Sequence, residues 1–465
     1  DEIGDVASIA EKVSAPGYVS SKFDRARTLM DSLTAGVETN STNNLFNGAI
    51  KQMYLDNSLR GGMPTIIGDV DEDAKMSNFD EDPRVKVFHT FSRIHGDLER
   101  DYNAFMIDDT YFSQGPGNYR DVAQNRREDV TLNPRVGAFN IKMFLSYIQA
   151  DAYEPLTVEA VVYMFTDPNV IAAIAYTVTE DEQSGKVLED VLKGGPFRPG
   201  QLFTLVEQLN IKLKVDRDNF LNQVVAQAEN IPMAVFGQGY WADHWEYYLD
   251  LIESYLAIYP DGEEALMYDN ELRYFFSTAT VKARSEKYVE TYTYDGKSKH
   301  ILQLDATVFD TEKENEQEAF RSENTGIIGI DAYWQRTVAG EAFKSTPIAK
   351  LFLLGAIKFA TRDAWGMGVE YEGGRPGWND AMNGLPGMVG SGMPETYEMY
   401  LVLKYVKSVV DKYGRSIVIP SELGAMLDTV SGALDDLEQS GYTDPEKLPF
   451  DVPEVLFNYW DIVAS

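Results

Sequence analysis

A mostly α-helical fold is what this 465-residue sequence predicts. Apolar residues recur at helical spacing along most of the chain, and strand-like alternation is confined to a few short stretches. The residues best suited to chemistry fall in the segments between helices. A composition of 44% apolar and 12% aromatic residues is enough to build a large core. One helical toroid absorbs the length; periodicity by itself says mostly α and nothing finer.

In chain order, Ile3, Val6, Ile9, Ala10 and Val13 fall at helical spacing and predict a helix over 3–14. A second follows over 19–34, after the break at Ala15-Pro16-Gly17. The polar stretch ETNSTNN leads to a helix over 45–59, closed by Gly61-Gly62. The acidic run 69–82 reads as a solvated surface loop. Residues 86–106 alternate and then turn polar, which predicts a short strand feeding a loop. At 111–129, YFSQGPGNYRDVAQNRRED is a glycine turn followed by a dense polar cluster.

From 135 to 285 helices dominate, among them 139–150, 202–209 and 240–259. The last carries Trp241, Trp245, Tyr248, Leu249 and Ile252 on one face. Residues 286–309 predict a β-hairpin turning at Asp295-Gly296, and 310–325 a charged loop. Helices resume at 347–362, 394–412 and 421–438.

The formal charge is −33, from 41 Lys plus Arg against 74 Asp plus Glu. Such a surface repels nucleic-acid backbones and anionic lipid, so neither is an expected partner. The absence of cysteine excludes disulfides, thiolate metal sites and cysteine nucleophiles. No apolar run reaches the roughly 20 residues of a membrane span. The N-terminus DEIGDVASIA has no signal-peptide pattern, so the expected location is cytoplasmic. His89, His95, His244 and His300 are scattered without a metal-binding pair, and no GxSxG elbow or Walker loop occurs. No metal and no cofactor are expected.

Carboxylates remain as the source of chemistry. Residues 370–398, EYEGGRPGWNDAMNGLPGMVGSGMPETYE, combine glycine-rich runs with Trp378, Asn379 and Asp380. An indole face covers a sugar's C–H patch, an amide bonds a hydroxyl, and an apolar wall raises the pKa of an acid. Glycosidic cleavage needs such an acid and a nucleophile on the opposite face: a carboxylate, an activated water or an external anion. A structural turn is the plain alternative. GSGMPE at 390–395 reads as a helix start capped by Ser391 or a neighbour before it reads as an anion cradle. Arg120, Asp121, Gln124, Asn125, Arg126 and Arg127 form a second polar cluster, suited to sugar hydroxyls or to an internal ion-pair network.

At GWND (377–380) and YRDVAQNRR (119–127) the chain resembles the inverting glycoside phosphorylases of the cellobiose phosphorylase group. These are glycoside hydrolase family 94 and its longer relative family 161, the β-1,3-glucan phosphorylases. FNGAIKQMYLDNSLRGGMP (46–64), HGDLERDYNAF (95–105), SQGPGNYRDVAQNRR (113–127) and GRPGWNDAMNGLPGMVGSGMPETYE (374–398) carry the resemblance. It implies an (α/α)6 barrel over 61–465, with 1–60 as leading helices packed on it. It also implies inverting phosphorolysis of a β-linked gluco-oligosaccharide, with inorganic phosphate as co-substrate. Asp380 would be the general acid and Trp378 would line the donor subsite. Asp121 would hold donor hydroxyls with Arg120 nearby, and Asn379 and Gln124 would contact substrate. Gln114 stands where the family has an arginine.

The chain departs from the family in two ways. No N-terminal β-sandwich is legible. The 85 residues after Asp380 (465 minus 380) hold no match to the family's phosphate-binding His and Thr-Gly turn. The expectation is a piece of a larger enzyme, with phosphate bound by another segment or chain; a homodimer stays open. Two alternatives remain: an inverting hydrolase using Glu370, Glu372 or Glu395 to activate water, and a non-catalytic carbohydrate-binding module.

Overall fold

A β-hairpin buried on both faces lies between two hydrophobic cores. The computed structural model describes residues 4–90, 112–159, 161–231, 233–236, 241–282, 286, 288–292, 296, 299–303, 307–324, 331–362, 368–370 and 391–439. Strands Met63–Ile67 and Lys86–Thr90 pair antiparallel, with Ile66 opposite Val87 and Thr65 opposite Phe88. Successive side chains on a strand point to opposite faces. Val87 and Ile66 therefore enter the larger core, while Phe88 and Ile67 enter the smaller one.

The larger core is built from helices Tyr119–Arg126, Phe139–Ser146, Tyr248–Ile258, Glu263–Tyr268, Pro347–Ala360 and Met393–Tyr413. Helices Pro168–Val178, Glu182–Lys193, Pro199–Gln208 and Arg217–Ala226 enclose the smaller. The fold is mostly helical with a few short antiparallel strands, as the periodicity predicts. Among the described residues, no helix is long and apolar enough to cross a membrane.

The leading helices, Gly4–Ser14 and Tyr18–Leu33, and the helix Asn44–Gly61 match the expected spans to within a residue or two. So do Pro347–Ala360, Met393–Tyr413 and Ser421–Gln439. The expected hairpin is present as Tyr288–Tyr292 paired antiparallel with Lys299–Gln303, Tyr292 opposite Lys299; Asp295 of the expected turn lies outside the described residues. Helix starts follow from side-chain caps. Asp167, Asp181, Asp216 and Asp310 each accept a backbone N–H in the first turn of the helix that follows. Part of the acidic composition is thus helix chemistry.

The structure corrects several expectations. The run 69–82 is no solvated loop. It contains the helix Glu72–Met76, capped by Asp71, and its other acids hold the fold together. Asp69 pairs with Arg135 at 2.5 Å, Asp80 with Lys142 at 2.6 Å, and Asp82 with Arg84 at 2.7 Å. Composition could not separate charges facing water from charges facing partners far along the chain. Residues 310–325 form the helix Thr311–Glu323 because Asp310 caps its first turn. The expected helix 240–259 begins late, as a 3-10 turn at His244–Tyr247 that continues into Tyr248–Ile258. The helix expected over 139–150 ends at Ser146.

The hairpin depends on a backbone conformation only glycine adopts easily. Gly68 has φ +96°, and a Cβ there would lie 2.1 Å from the carbonyl oxygen of Arg84. Gly68→Ala is expected to lower stability by about 2 kcal/mol or more. A urea titration of the two proteins reads this directly, and coincident midpoints would refute it.

Candidate functional site

The helix that carries the Arg-Asp pair is anchored by its first residue. Tyr119 is fully buried, edge-on to Phe144 at 5.2 Å between ring centres and stacked on His244 at 5.1 Å. Its hydroxyl donates to the carbonyl of Phe144 at 3.0 Å and lies 2.7 Å from the Tyr248 hydroxyl. Tyr248 in turn lies 3.4 Å from Glu154 Oε1. Burial pushes the Glu154 carboxyl up to about 7. The Tyr248 hydroxyl donates to Glu154, so hydroxyls link Glu154, Tyr248, Tyr119 and the Phe144 carbonyl in one row. Asn118 caps the same helix by accepting from the Arg120 N–H at 3.1 Å.

Arg120 and Asp121 leave this helix on its half-buried side, with side chains 15% and 14% exposed. Arg120 Nε donates to Asp121 Oδ1 at 3.0 Å, and its Nη1 approaches Asp243 Oδ2 at 3.7 Å. Burial works against the Arg120 charge, but Asp243 and Asp121 more than offset this and raise its pKa. Gln124 Nε2 donates to the Tyr247 hydroxyl at 2.6 Å, one helical turn from Arg120.

Gln114 is also buried, but its amide nitrogen donates to the Val161 carbonyl at 2.9 Å, so that nitrogen serves the backbone. Arg126 faces Asp129 at 3.9 Å and Arg127 pairs with Asp250 at 2.9 Å. For these two arginines the internal-network reading is the one the geometry favours. Trp378, Asn379 and Asp380 lie outside the described residues, as does His95.

Near Arg120 the fold buries Asp243 and Glu246, which the sequence reading passed over, and Glu395, which it named only as a hydrolase's base, adds to the shift of both. Asp243 is 1% exposed, and neither of its oxygens has a hydrogen-bond partner among the described residues. The same holds for Glu246 Oε1, Glu395 Oε2 and Glu398 Oε1. Burial pushes Asp243 up to about 7, with Glu395 adding to the shift and Arg120 opposing it. Burial and the charges of Glu395, Asp243 and Glu398 push Glu246 up to about 9. Glu398 reaches about 7 and Glu395 is also raised, both chiefly through burial. The available signal was spacing: Asp243 with Glu246, and Glu395 with Glu398, are three apart and share a face of a helical turn.

Glu395 joins this cluster to the glycine-rich stretch. It sits in the first turn of Met393–Tyr413, whose N-cap is Gly392, a residue without a side chain to cap it. Val369 pairs with Gly392 and Glu370 with Ser391, so the residues flanking 371–390 are brought together beside Glu395. Thr396 tightens this base by accepting from the Val369 N–H at 2.9 Å. Asp243, which lies beside Arg120, also feels the charge of Glu395 at the start of Met393–Tyr413. Among the described residues, no group of three or more His, Asp or Glu side chains is arranged to hold a metal ion.

Compared with known proteins, the chain matches no family model, and no curated protein matches it. The likeness to inverting phosphorylases rests on the motifs themselves.

Titration of these buried groups gives stability a definite pH course. Asp243, Glu246 and Glu398 have folded pKa values of about 7, 9 and 7, above their ordinary 3.8 to 4.5. Their contribution is fully present below the ordinary values and is lost as pH rises through the folded ones. His89, buried against Asp129 at 2.7 Å, goes the other way. Burial and Arg126 lower it to about 4 from 6.5, so its contribution is lost as pH falls through that window. From these shifts stability is expected to fall as pH rises from about 5 to 9, first through all three carboxyls and above about 7 through Glu246 alone. Urea midpoints across this range measure it, and a midpoint that rises from pH 7 to 9 would contradict it.

Proposed function

We propose that the chain carries out inverting phosphorolysis of β-linked gluco-oligosaccharides, releasing a sugar 1-phosphate, on a helical fold of the (α/α)6 type. What supports the reading is the buried Arg120–Asp121 pair, with Asp243 beside it, in the 119–127 motif that carries the resemblance. The segment bearing Trp378, Asn379 and Asp380 leaves and rejoins the fold at the pairing of Val369–Glu370 with Ser391–Gly392.

In this reading a phosphate oxygen attacks the anomeric carbon as the bond to the leaving sugar breaks. Asp380 gives its proton to the departing glycosidic oxygen. Asp121, fixed by Arg120, accepts hydrogen bonds from donor-sugar hydroxyls, and Trp378 covers the apolar face of the ring. Asn379 and Gln124 add polar contacts. Gln114 supports the neighbouring backbone. Phosphate replaces a catalytic base, so one proton-donating carboxyl suffices. Its binding groups are expected outside the positions described here.

Incubating the protein with gluco-oligosaccharides of defined β-linkage, with and without inorganic phosphate, tests this. Sugar 1-phosphate is expected only when phosphate is present, with inverted anomeric configuration. Asp380→Asn is expected to lower the rate about 10²- to 10⁴-fold, the usual contribution of a positioned general acid. Free reducing sugar released at the same rate without phosphate would replace phosphorolysis by hydrolysis.

A further inference from the structure

One arginine departs from the way this acidic protein treats most of the others. Arg84, Arg127, Arg135, Arg273 and Arg415 each pair with a carboxylate at 3.1 Å or less. Arg336 makes no ion pair among the described residues, and its Nη1 is buried without a hydrogen-bond partner. Its guanidinium lies instead on the Phe320 ring, with Cζ 3.6 Å from the ring centre. Stacking satisfies the flat face of a guanidinium and leaves its N–H edge, where carboxylates bind, unused. In a chain of net charge −33 a half-buried cation without a counter-ion stands out, and a buried donor without an acceptor costs stability.

Arg336 lines a cavity of about 760 Å³, large enough for a small organic molecule. Three parts of the fold meet there. Helix Pro347–Ala360 contributes Leu353 and Ile357, and helix Ser421–Gln439 contributes Leu423 and Met426. The third is the turn that Arg336 and Ala342 close as antiparallel partners. Its backbone is tied twice: Thr337 N–H donates to the Glu341 carbonyl and Gly340 N–H to the Thr337 carbonyl, each at 2.8 Å. Val338, also on the cavity lining, is fully exposed. None of the described lining residues belongs to 119–127 or 370–398, so the cavity is separate from the motifs behind the phosphorolysis reading.

The walls are mainly apolar, and two of the polar groups on them are already engaged. Gln335 Nε2 donates to the Arg336 carbonyl at 3.1 Å. Glu422 is the other charged residue of the described lining. Its own backbone N–H and the Ser421 hydroxyl, 3.0 Å away, hold its pKa below the ordinary value. The start of helix Ser421–Gln439 is therefore taken by an acid of this chain, and Arg336 is the single cation among the described lining residues. One cation on apolar walls matches one negative charge on an apolar body. A phosphate ester, with nearly two charges, would need further donors. A sugar would set its hydroxyls against hydrocarbon.

We propose that this cavity binds a small organic carboxylate with an apolar body: the carboxylate pairs with Arg336, and the body lies against Leu353, Ile357, Leu423 and Met426. The ligand's charge gives the guanidinium edge its acceptor, while its hydrocarbon and the cavity wall leave water together. The inference goes beyond the phosphorolysis reading and does not depend on it, because binding is read without turnover.

Calorimetric titration of the full chain with butanoate, hexanoate, octanoate and 1-octanol tests this. One-to-one binding of the carboxylates is expected, tightening about fourfold for each added methylene. Octanoate is expected to bind about tenfold or more tightly than 1-octanol, which has the same body and no charge. In Arg336→Gln that preference is expected to disappear while 1-octanol still binds. Met426→Trp fills the space and is expected to abolish binding of both.

Equal binding of octanoate and 1-octanol by the parent protein would overturn the proposal, as would a preference for octanoate that survives in Arg336→Gln. Many octanoates per chain, indifferent to Met426→Trp, would mean surface association and would overturn it too. So would the absence of carboxylate binding; if Met426→Trp then also changes the sedimentation of the chain, the cavity is a contact between copies. Should Met426→Trp fail to fold, Arg336→Gln decides alone, since that side chain is half-buried and its loss is read as selectivity rather than stability.

Discussion

Burying several carboxyl groups around one guanidinium is the constraint on which the centre of this molecule depends. Arg120 donates to Asp121 and faces Asp243, whose two oxygens have no hydrogen-bond partner among the described residues. In water each acid would ionise near pH 4; inside the protein the uncompensated charge makes the neutral form cheaper. The consequence is a region whose geometry is specified by where protons sit as much as by packing. Tyr119, Tyr248 and Glu154 form a second buried polar row, in which hydroxyls link a carboxyl to the Phe144 carbonyl.

Around this polar centre, apolar packing does the rest. Tyr119 belongs at once to the hydroxyl row and to the larger hydrophobic core, so the helix bearing Arg120 cannot shift without disturbing both. The hairpin of Met63–Ile67 and Lys86–Thr90 supplies the boundary between the two cores, with alternate residues of one strand entering different cores. Acidic residues elsewhere have a different task. They begin helices at Asp167, Asp181, Asp216 and Asp310, where a carboxylate satisfies free backbone N–H groups and meets the positive end of the helix.

Such a site supports the proposed reading of chemistry on neutral, hydroxyl-rich molecules. Acceptor-rich carboxylates match sugar hydroxyls, which carry donors and no charge to be repelled by an acidic protein. A surrounding that raises the pKa of Asp243, Glu246 and Glu398 is also one in which a nearby acid would keep its proton at neutral pH. The anionic co-substrate of a phosphorylase would need cations of its own, and Arg120 and Lys358 already face carboxyl groups.

Much of the secondary structure was legible in the sequence alone, because helical periodicity and local caps are properties of neighbouring residues. Pro347–Ala360, Met393–Tyr413, Ser421–Gln439 and the hairpin at Tyr288–Gln303 were all readable in this way. The polar cluster at 119–127 was visible too, since uncommon residues in close order stand out. What the sequence could not carry was partnership across the chain. The acids of 69–82 look solvated until Arg135 and Lys142 are seen to meet them. Asp243 looks like the polar edge of an aromatic helix until Arg120 is seen to approach it. Burial raises a pKa only once distant segments have excluded water, and that is decided by the tertiary fold.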